Sequence, residues 1–371
     1  MRIAFYAPMK SPTHRVPSGD RAVARLLIRA LKQQGHDVFL ASSFRAYDGT
    51  GDHRRQLSLA KRGAARAQGL IADWRDAPPD LWFTYHLYHK APDYLGPRIA
   101  DAFGVPYLVA EPSVAMKQQN GPWSLGFAVA AAALRRADGL YTMTPEDEAG
   151  LADIEIDPAR CHRLPPFLDI RPFDVQRHKA ARRELARRYG LDPRKTWLLA
   201  VAMMRPGDKL ASYRRLAAAV DLLKDDDWSL LIVGDGSCRA EVEALFAGRA
   251  MFVGALPERS LPLHYAAADL FVWPAVNEAY GMALLSAQAA GVPVVAGRER
   301  GVPEVVSDGA TGILTTPGDD QAFADAMAGL IADTERRSAM ASLATATVRR
   351  DHSLESAGTI LSHVIDKVSC S

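Results

Sequence analysis

The chain has 371 residues, of which 48% are hydrophobic and 24% charged, and its formal net charge at pH 7 is +2. This composition is ordinary for a globular protein, and the length predicts two domains because one hydrophobic core rarely grows beyond about 250–300 residues. The nearly balanced charge does not favour a nucleic-acid binder, which would need a strongly basic domain or stripe.

The cysteines fit a reducing compartment, and the apolar segments are too short for a signal peptide or a membrane span. Cys161, Cys238 and Cys370 are few and widely spaced, which argues against a disulfide framework or a zinc site. The N-terminal apolar run is too short for a signal peptide, and residues 127–134 (FAVAAAAL) come nearest to a membrane span without reaching its length. We expect a cytoplasmic protein, attached at most peripherally to the inner face of a membrane.

Basic side chains are concentrated between residues 54 and 75. We favour a solvated helix face as their explanation. The alternative is a patch that meets anionic lipid or an anionic acceptor. The residues concerned are Arg54, Arg55, Lys61, Arg62, Arg66 and Arg75.

In the first half of the chain, runs that suit β-strands alternate with helical patterns. A helix is predicted from about Asp20 to Gln34, where Gly35 ends it. Runs that are apolar at nearly every position predict parallel strands buried on both faces. The predicted strands span residues 3–8, 38–42, 81–86, 107–111 and 139–144.

A proline-rich segment at 163–174 interrupts this alternation, which starts afresh after a predicted helix at 176–189. We therefore predict an α/β protein with two Rossmann-like, doubly wound parallel-sheet domains, residues 1–172 and 173–350, that face each other across a cleft. In open parallel sheets, ligands bind beyond the carboxyl ends of the strands. The strands predicted in the second domain span residues 196–204, 229–236, 250–256, 269–275, 292–297 and 312–316.

One loop of the second domain has the features of an anion site. Residues 277–296 read NEAYGMALLSAQAAGVPVVA, so Glu278 precedes a helix that begins near Gly281 and ends at Gly291. The first N–H groups of a helix have no partner within it and attract anions, and glycine lets a ligand approach them closely. The helix end can hold a phosphate, while Glu278 can accept hydrogen bonds from sugar hydroxyls.

Two further loops that follow predicted strands suit the same ligand. MMRPGDKL (203–210) presents Arg205 and Lys209, which together could neutralise a diphosphate. GDGS (234–237) allows close approach to its backbone. Each signal is weak alone, because such residues also occur on surfaces and in turns. Three strand-end loops with compatible chemistry are a stronger signal.

The ordered series of motifs resembles a known family. SLLIVGDG, AAADLFVWPAVNEAYGMALLSAQAAGVPVVA and RGVPEVVSDGATGILTTPGD are similar to the C-terminal half of the family 4 glycosyltransferases. The resemblance implies the GT-B architecture and a reaction that retains the anomeric configuration. It also implies that Glu278 binds the donor sugar, and that sugar and phosphate meet the backbone amides of Tyr280, Gly281 and Met282.

The resemblance assigns the diphosphate to Arg205 and Lys209, although their spacing is one residue shorter than the family's common pattern. The glycine loop adds donor-binding residues at Gly234, Asp235 and Gly236. No metal and no bound cofactor is implied, because the basic pair replaces a cation. The expected donor is a UDP- or GDP-sugar.

Position 286 departs from the family pattern, in which a second glutamate grips the ribose. Here it is Ser286, and losing a charged hydrogen bond of that kind would cost about 1.5–3 kcal/mol. We prefer weaker nucleotide binding through Ser286, with a water as bridge. The alternatives are that Glu304 takes over, that the donor is unusual, or that the protein does not bind a donor at all.

In the first domain, Gly19 lies in a strand–helix turn that resembles the family's glycine loop near the donor phosphates. A capping turn with Ser18 or Asp20 as the cap is the plainer explanation. His86 ends a predicted strand, where a functional residue is expected, and histidine can act near neutral pH.

Candidate acceptor contacts are Glu111, Ser113 and Trp123. Glu111 and Ser113 follow the strand at 107–111, where many family members carry a histidine that this sequence lacks. Trp123 lies in the polar stretch 116–127, which is predicted to be a long loop. It could stack on a sugar or anchor the loop.

The predicted function is transfer of a sugar from a nucleotide diphosphate donor to an acceptor hydroxyl. Glu278, Arg205, Lys209 and His86 are the candidate catalytic residues. The acceptor is expected to be a glycan, a lipid-linked molecule or a small metabolite, and no nucleic acid is expected as a partner. The alternatives are a nucleotide-sugar epimerase of the same fold and a catalytically impaired partner protein. The amphipathic C-terminal segment 351–371 is expected to pack on the first domain.

Overall fold

The computed structural model describes residues 1–16, 18–173, 178–224 and 227–369. The chain divides into two compact units: unit 1 comprises Met1–Pro165 and Leu354–Ser371, and unit 2 comprises Pro166–Ser353. The sequence placed this division near residue 172. Cys370, the start of the helix predicted from residue 176 and the last residues of the predicted C-terminal segment lie outside the described residues.

Unit 1 is built on a parallel sheet. Its strands are β1 (Arg2–Tyr6), β2 (Asp37–Ser42), β3 (Leu81–Leu87), β4 (Tyr107–Pro112), β5 (Gly139–Thr142) and β6 (Cys161–Arg163). They are arranged in the order β2-β1-β3-β4-β5-β6, and each neighbouring pair is parallel. The first five strands were predicted. β6 was missed because its three residues carry no apolar run.

Helices connect these strands. They are α1 (Gly19–Gln33), α2 (His53–Asp73), α3 (Gly96–Phe103), α4 (Ser124–Arg136) and α5 (Pro145–Asp153). The long loop predicted at 116–127 is shorter than expected, since Met116–Gln118 form a 3-10 turn and α4 begins at Ser124. The basic residues from Arg54 to Arg66 all lie on α2.

Unit 2 repeats this architecture. Its strands are β7 (Thr196–Val201), β8 (Trp228–Val233), β9 (Ala250–Gly254), β10 (Leu270–Trp273), β11 (Val294–Gly297) and β12 (Gly312–Thr315). Their order is β12-β11-β10-β7-β8-β9, and all neighbouring pairs are parallel. All six strands were predicted, but most end one to three residues earlier than expected, so the strand-end loops are longer.

The helices that follow are α6 (His178–Tyr189), α7 (Asp208–Asp221), α8 (Arg239–Phe246), α9 (Leu261–Ala267), α10 (Met282–Ala289), α11 (Asp320–Ala332), α12 (Thr334–Asp351) and α13 (Leu354–Ser369). α13 belongs to unit 1. The helix predicted at 351–368 starts too early. His352 and Ser353 are buried between α12 and α13, and the backbone N–H of Leu168 bonds to the carbonyl of His352, which takes the chain out of helical geometry.

The apolar runs form the interior of each sheet. Ile3, Ala4, Phe5 and Tyr6 of β1 are all 0% exposed, which is the burial on both faces that a continuous apolar run predicts. The two parallel sheets with flanking helices confirm the predicted α/β fold class, while the predicted cleft stays a prediction. In the part of the chain that the structure describes, no helix is long and apolar enough to cross a membrane.

Candidate functional site

Three loops of unit 2 leave neighbouring strands at the same edge of the sheet. The loops follow β10, β7 and β8, which lie side by side in that order, and parallel strands end at one edge. They are the loops that the sequence singled out for anion binding. Their adjacency means that one ligand can contact all three.

The loop after β10 is attached to the start of α7 by side chains. The Asn277 amide donates to a carboxylate oxygen of Asp208 at 3.1 Å, and the Val276 N–H donates to the Ser212 hydroxyl at 3.0 Å. Ala275 and Asn277 both have left-handed backbone, with φ of 60° and 50°. Such conformations cost free energy and are concentrated at functional sites. The loop is therefore held in one strained conformation.

Lys209 and Glu278 form the central ion pair of this loop. The ammonium of Lys209 donates to a carboxylate oxygen of Glu278, and each side chain is 19% exposed. Lys209 lies in the first turn of α7 rather than on the preceding loop, where the sequence had placed it. Its Nζ also lies 5.5 Å from the centre of the Trp273 ring, which adds a cation–π contact.

The start of α10 offers backbone N–H groups. Gly281 has φ of +75°, and no side chain among the described residues caps the helix. The N–H groups of Met282 and Ala283 bond to no residue in the described ranges. A Cβ on Gly281 would lie 2.6 Å from Cδ1 of Leu284 and 3.5 Å from Cγ of Glu278, so glycine is required here. Glu278, paired with Lys209, therefore lies directly beside this helix end.

The glycine loop after β8 packs tightly on the loop after β7. A Cβ on Gly234 would overlap the carbonyl oxygen of Ala202, and one on Gly236 would overlap that of Met204. The Met204 N–H bonds to the carbonyl of Asp235 at 2.9 Å. Close packing between the two loops is thus one reason for these glycines. The Asp235 carboxylate forms a partly exposed ion pair with Arg239 at 3.2 Å.

Arg205 and Tyr280 differ from the Lys209–Glu278 pair in their burial and in the contacts that they make. Arg205 is exposed and makes no hydrogen bond or ion pair with another described residue. Tyr280 is half-buried and packs against the hydrophobic core of unit 2. Glu304 lies in the 3-10 turn Val302–Glu304, between β11 and β12.

Ser286 is half-buried on α10, with its hydroxyl turned toward its own helix. The hydroxyl donates to the carbonyl of Met282 at 2.9 Å, one turn earlier. The phenol of Tyr265 also lies within hydrogen-bonding reach of Ser286. A serine that donates to the backbone keeps its oxygen lone pairs as acceptors for a ligand hydroxyl.

Unit 1 has a second cluster at the carboxyl edge of its sheet, around His86. Nδ1 of His86 lies 3.0 Å from Oδ1 of Asp20 and 3.9 Å from Oε1 of Glu111. The ring of Tyr88 stacks on the His86 imidazole with centroids 4.8 Å apart. Strands β3 and β4 are neighbours, so the sequence-predicted residues His86 and Glu111 are brought together.

The electrostatics of this cluster favour a charged imidazole. Burial alone would lower the pKa of His86, but the carboxylates of Glu111 and Asp20 raise it to about 9. Burial raises the pKa of Glu111, and the nearby imidazolium opposes that rise. His86 and Glu111 have left-handed backbone, with φ of 58° and 55°, although neither is a glycine. The cluster therefore combines a buried charge with backbone strain, as functional sites do.

Two members of this cluster were not predicted as functional residues. Asp20 had been considered only as a possible helix cap, whereas Ser18 caps α1 by accepting from the N–H of Arg21, which leaves Asp20 to bond to His86. Asp147 is the N3 residue of the capping box of α5, and its charge acts on both His86 and Glu111. An acidic residue at a helix start is explained by capping alone, so the sequence gives no signal for such a tertiary partner.

The remaining site residues predicted in unit 1 are Gly19, Ser113 and Trp123. Gly19 is the first residue of α1, and a Cβ there would have no described atom within 4 Å. Ser113 follows β4, and its N–H bonds to the carbonyl of Leu87 at 3.0 Å. Trp123 donates from Nε1 to the carbonyl of Asp48 at 2.9 Å, and Lys90 lies over its ring. These contacts fit the anchoring alternative for Trp123, and its role in acceptor binding stays a prediction.

Two family models match the chain, one in each unit. Residues 18–166 match the glycosyl transferase 4-like domain, and residues 195–333 match glycosyl transferases group 1. Among solved structures, the chain is similar to sucrose-phosphate synthase from Thermosynechococcus elongatus, with a TM-score of 0.77, 20% identity and 100% coverage of both chains. It is also similar to HepE from Anabaena in complex with UDP-glucose, with a TM-score of 0.72, 17% identity and 100% coverage of both.

Among curated proteins, the chain is similar to a GDP-mannose-dependent alpha-(1-6)-phosphatidylinositol monomannoside mannosyltransferase from Mycolicibacterium smegmatis. The two are 32% identical over 235 residues, which is 59% of this chain and 60% of that relative, so the chain spans less than two thirds of its length. The structural likenesses establish a two-domain α/β protein of the GT-B fold. With both units matched by family models, the chain belongs to the group 1 and 4-like glycosyl transferases.

Proposed function

We propose that the protein transfers a sugar from a nucleotide diphosphate sugar to an acceptor hydroxyl, with retention of the anomeric configuration. The observation that carries the proposal is the convergence of Lys209, Glu278 and the start of α10 at one edge of the unit 2 sheet. A cation, a carboxylate and free backbone N–H groups are what a sugar diphosphate requires of its site.

The main demand of the reaction is stabilisation of the leaving group. As the glycosidic C–O bond breaks, negative charge builds on the departing diphosphate. In our proposal, the N–H groups of Met282 and Ala283 and the ammonium of Lys209 stabilise this charge, because they are fixed before the reaction starts. Arg205 is exposed and bonds to no other residue in the described part of the chain, so it is able to fold onto the phosphates once they are bound.

Glu278 has two alternative partners in this mechanism. Without a donor it neutralises Lys209. With a donor, the diphosphate takes over the ammonium and the carboxylate is released to accept hydrogen bonds from the sugar hydroxyls. Binding of the sugar by Glu278 therefore depends on the presence of the diphosphate. The Asn277–Asp208 and Val276–Ser212 bonds keep the loop in place while the partners change.

The donor nucleotide is proposed to be UDP or GDP. The name of the mannosyltransferase relative specifies GDP-mannose, and the HepE structure contains UDP-glucose. In our proposal Ser286 replaces a carboxylate at the ribose and contributes acceptor lone pairs only, which gives weaker nucleotide binding than a glutamate would.

We assign acceptor binding to unit 1. The charged His86 imidazole, held between Asp20 and Glu111, lies at the edge of the sheet where ligands of parallel α/β folds bind. Glu111 is half-buried beside it and can accept a hydrogen bond from an acceptor hydroxyl. Burial raises the pKa of Glu111, and the charge of the neighbouring His86 imidazolium opposes that rise.

The test is a panel of UDP-, GDP- and ADP-sugars, with release of the nucleoside diphosphate as the readout and NMR of the anomeric proton in the product. We expect release with at least one donor and a product whose anomeric configuration matches that of the donor. Inversion would contradict the retaining mechanism. Conversion of the donor into an epimeric nucleotide sugar would support the epimerase alternative, and neither turnover nor binding with any donor would identify an impaired partner protein.

A further inference from the structure

An open pocket of about 520 Å³ lies beside the carboxyl end of β2 in unit 1. Arg45 borders it from the loop after the strand, while Arg55, Arg62 and Arg66 border it from α2. Positions 55, 62 and 66 lie on one face of that helix because they are separated by about two turns and one turn. We call these four side chains and the hydroxyl of Ser42 the arginine pocket.

The positive charge of the arginine pocket is poorly compensated. Arg55 has a carboxylate neighbour, Asp48, at 3.6 Å. Arg45, Arg62 and Arg66 form no ion pair with any residue in the described part of the chain. Several like charges around one concavity raise the local concentration of anions. Such a group of arginines is therefore suited to bind an anionic ligand.

Uncharged contacts hold the guanidinium groups in place. Arg45 lies over the ring of Tyr47 at 4.7 Å, and Arg62 lies over that of Phe44 at 5.6 Å. Nε of Arg66 donates to the hydroxyl of Ser42 at 3.5 Å. Stacking leaves the N–H edges of a guanidinium available, and these edges bind phosphate oxygens in a fork. Pre-positioned arginines lose less conformational entropy on binding than free ones do.

The arginine pocket is connected to the His86 cluster by direct contacts. Nε of Arg45 donates to the carbonyl of Met9 at 3.0 Å, and the hydroxyl of Tyr88 contacts the sulfur of Met9 at 3.3 Å. Tyr88 in turn stacks on His86. β2 and β3 flank β1, so their ends are separated by two strand spacings, or about 10 Å. A phosphorylated sugar has a length of this order.

We propose that the arginine pocket binds a phosphate group of the acceptor and thereby directs the acceptor's hydroxyl toward His86 and Glu111. This inference rests on the function proposed above, since it names the class of acceptor for the same reaction. A soluble sugar phosphate and a phospholipid headgroup share the required chemistry, namely a phosphate beside neutral hydroxyls. The recognition is the same in both cases, and the source of the phosphate is decided by experiment.

The test compares two double variants of the full-length chain. Arg62→Gln/Arg66→Gln removes two charges from the arginine pocket, whereas Arg54→Gln/Lys61→Gln removes two charges from the same helix outside it. All four side chains are exposed, so both variants are expected to fold. Calorimetry measures binding of D-glucose 6-phosphate and of D-glucose. Sedimentation measures binding to phosphatidylcholine vesicles with and without phosphatidylglycerol.

We expect the unaltered protein to bind the phosphorylated probe, or the phosphatidylglycerol vesicles, about tenfold or more tightly than the neutral counterpart. The pocket variant is expected to lose this preference, while the control variant keeps it to within about twofold. Preference for glucose 6-phosphate identifies a soluble acceptor, and preference for the anionic vesicles alone identifies a lipid headgroup. Equal losses in the two variants, or no preference for either phosphate source, would overturn the proposal.

A third variant tests whether the phosphate binds at the donor site instead of the arginine pocket. Lys209→Met removes a cation from unit 2 and is expected to leave binding of glucose 6-phosphate unchanged, because the arginine pocket lies in unit 1. If binding is lost in this variant, the phosphate occupies the donor site and the proposal is wrong. Binding is measured without a donor, so failure of the transfer reaction would refute the proposed function separately from this pocket.

Discussion

Lys209 and Glu278 form an ion pair that joins the first turn of α7 to the loop after β10. Both side chains are mostly buried, and both were predicted from the sequence as ligand contacts. A diphosphate that binds at the start of α10 must compete with Glu278 for the ammonium. Donor binding should therefore depend on exchange of partners within this pair, which makes the two residues separable by mutation.

Glu278→Gln is expected to separate turnover from nucleotide affinity. The amide cannot neutralise Lys209, so UDP or GDP should bind as tightly as before or more tightly. The charged hydrogen bonds from the sugar hydroxyls to position 278 are lost. We expect turnover to fall by about 10²–10³-fold, the magnitude found when one preorganised group is removed. Steady-state kinetics and calorimetry on the same preparation measure the two effects.

A matched control is Glu241→Gln, because Glu241 forms an ion pair with Arg214 in which both side chains are largely exposed. Such exposed pairs contribute little. Turnover should be unchanged in this variant. If Glu278→Gln keeps full turnover, Glu278 does not hold the sugar.

Ser286→Glu should tighten nucleotide binding. The change introduces a carboxylate where the family pattern has one, and a charged hydrogen bond to ribose adds about 1.5–3 kcal/mol, or tenfold or more in affinity. Ser286→Ala serves as the comparison and should change affinity by less than about fivefold. Calorimetry with UDP and GDP measures both. Unchanged or weaker binding in Ser286→Glu would show that ribose is not held at this position.

The charged state of His86 predicts how stability changes with pH. In the folded protein the pKa of His86 is raised from 6.5 to about 9, against the effect of burial, by Glu111 and Asp20. A raised pKa contributes stability that is fully present below pH 6.5 and is lost as pH rises through about 9. Relative to His86→Gln, the unaltered protein should lose on the order of 1–3 kcal/mol across this range.

Thermal midpoints measured from pH 6 upward test this directly. The difference between the unaltered protein and His86→Gln should shrink as pH rises, and His53→Gln, at an exposed position, should show no such trend. A difference that is constant or grows with pH would mean that the imidazole is not held as a cation.

The glycines divide into two groups with opposite expected effects. Gly236→Ala should destabilise the fold by about 1–3 kcal/mol, because its Cβ would overlap the Met204 carbonyl. Gly19→Ala should keep its stability, since a Cβ there has nothing within 4 Å, but it should lose activity if a ligand approaches this turn. Gly69→Ala, equally unobstructed and within α2, is the control for both effects. Full activity in Gly19→Ala would remove Gly19 from the donor site.

The local patterns in the sequence were sufficient to predict every strand of the two sheets except β6. Runs such as those of β1 and β8 are apolar at nearly every position, so strand type, parallel arrangement and the edge that carries the loops all followed. The start of α10 was also predictable, since the helix was expected to begin near Gly281 and the structure has Gly281 at its N-cap. The three-residue β6 was not predictable, because it is defined only by its pairing with β5.

The contacts between distant residues could not be read from the sequence. Asp20 has the spacing of a helix cap, and only the fold shows that Ser18 caps α1 while Asp20 bonds to His86. The interruption between α12 and α13 depends on the bond from Leu168 to His352, which joins distant parts of the chain. Nor does the sequence indicate that Lys209 is paired with Glu278 rather than free for a ligand.

The central claim is that Lys209 and the start of α10 hold the second phosphate of the donor. Calorimetry with UDP against UMP, and GDP against GMP, isolates that phosphate because base and ribose contacts cancel within each pair. We expect the diphosphate of at least one pair to bind about tenfold or more tightly, and Lys209→Met to abolish that difference. Equal affinities for diphosphate and monophosphate in the unaltered protein, or a difference that survives Lys209→Met, would contradict the account.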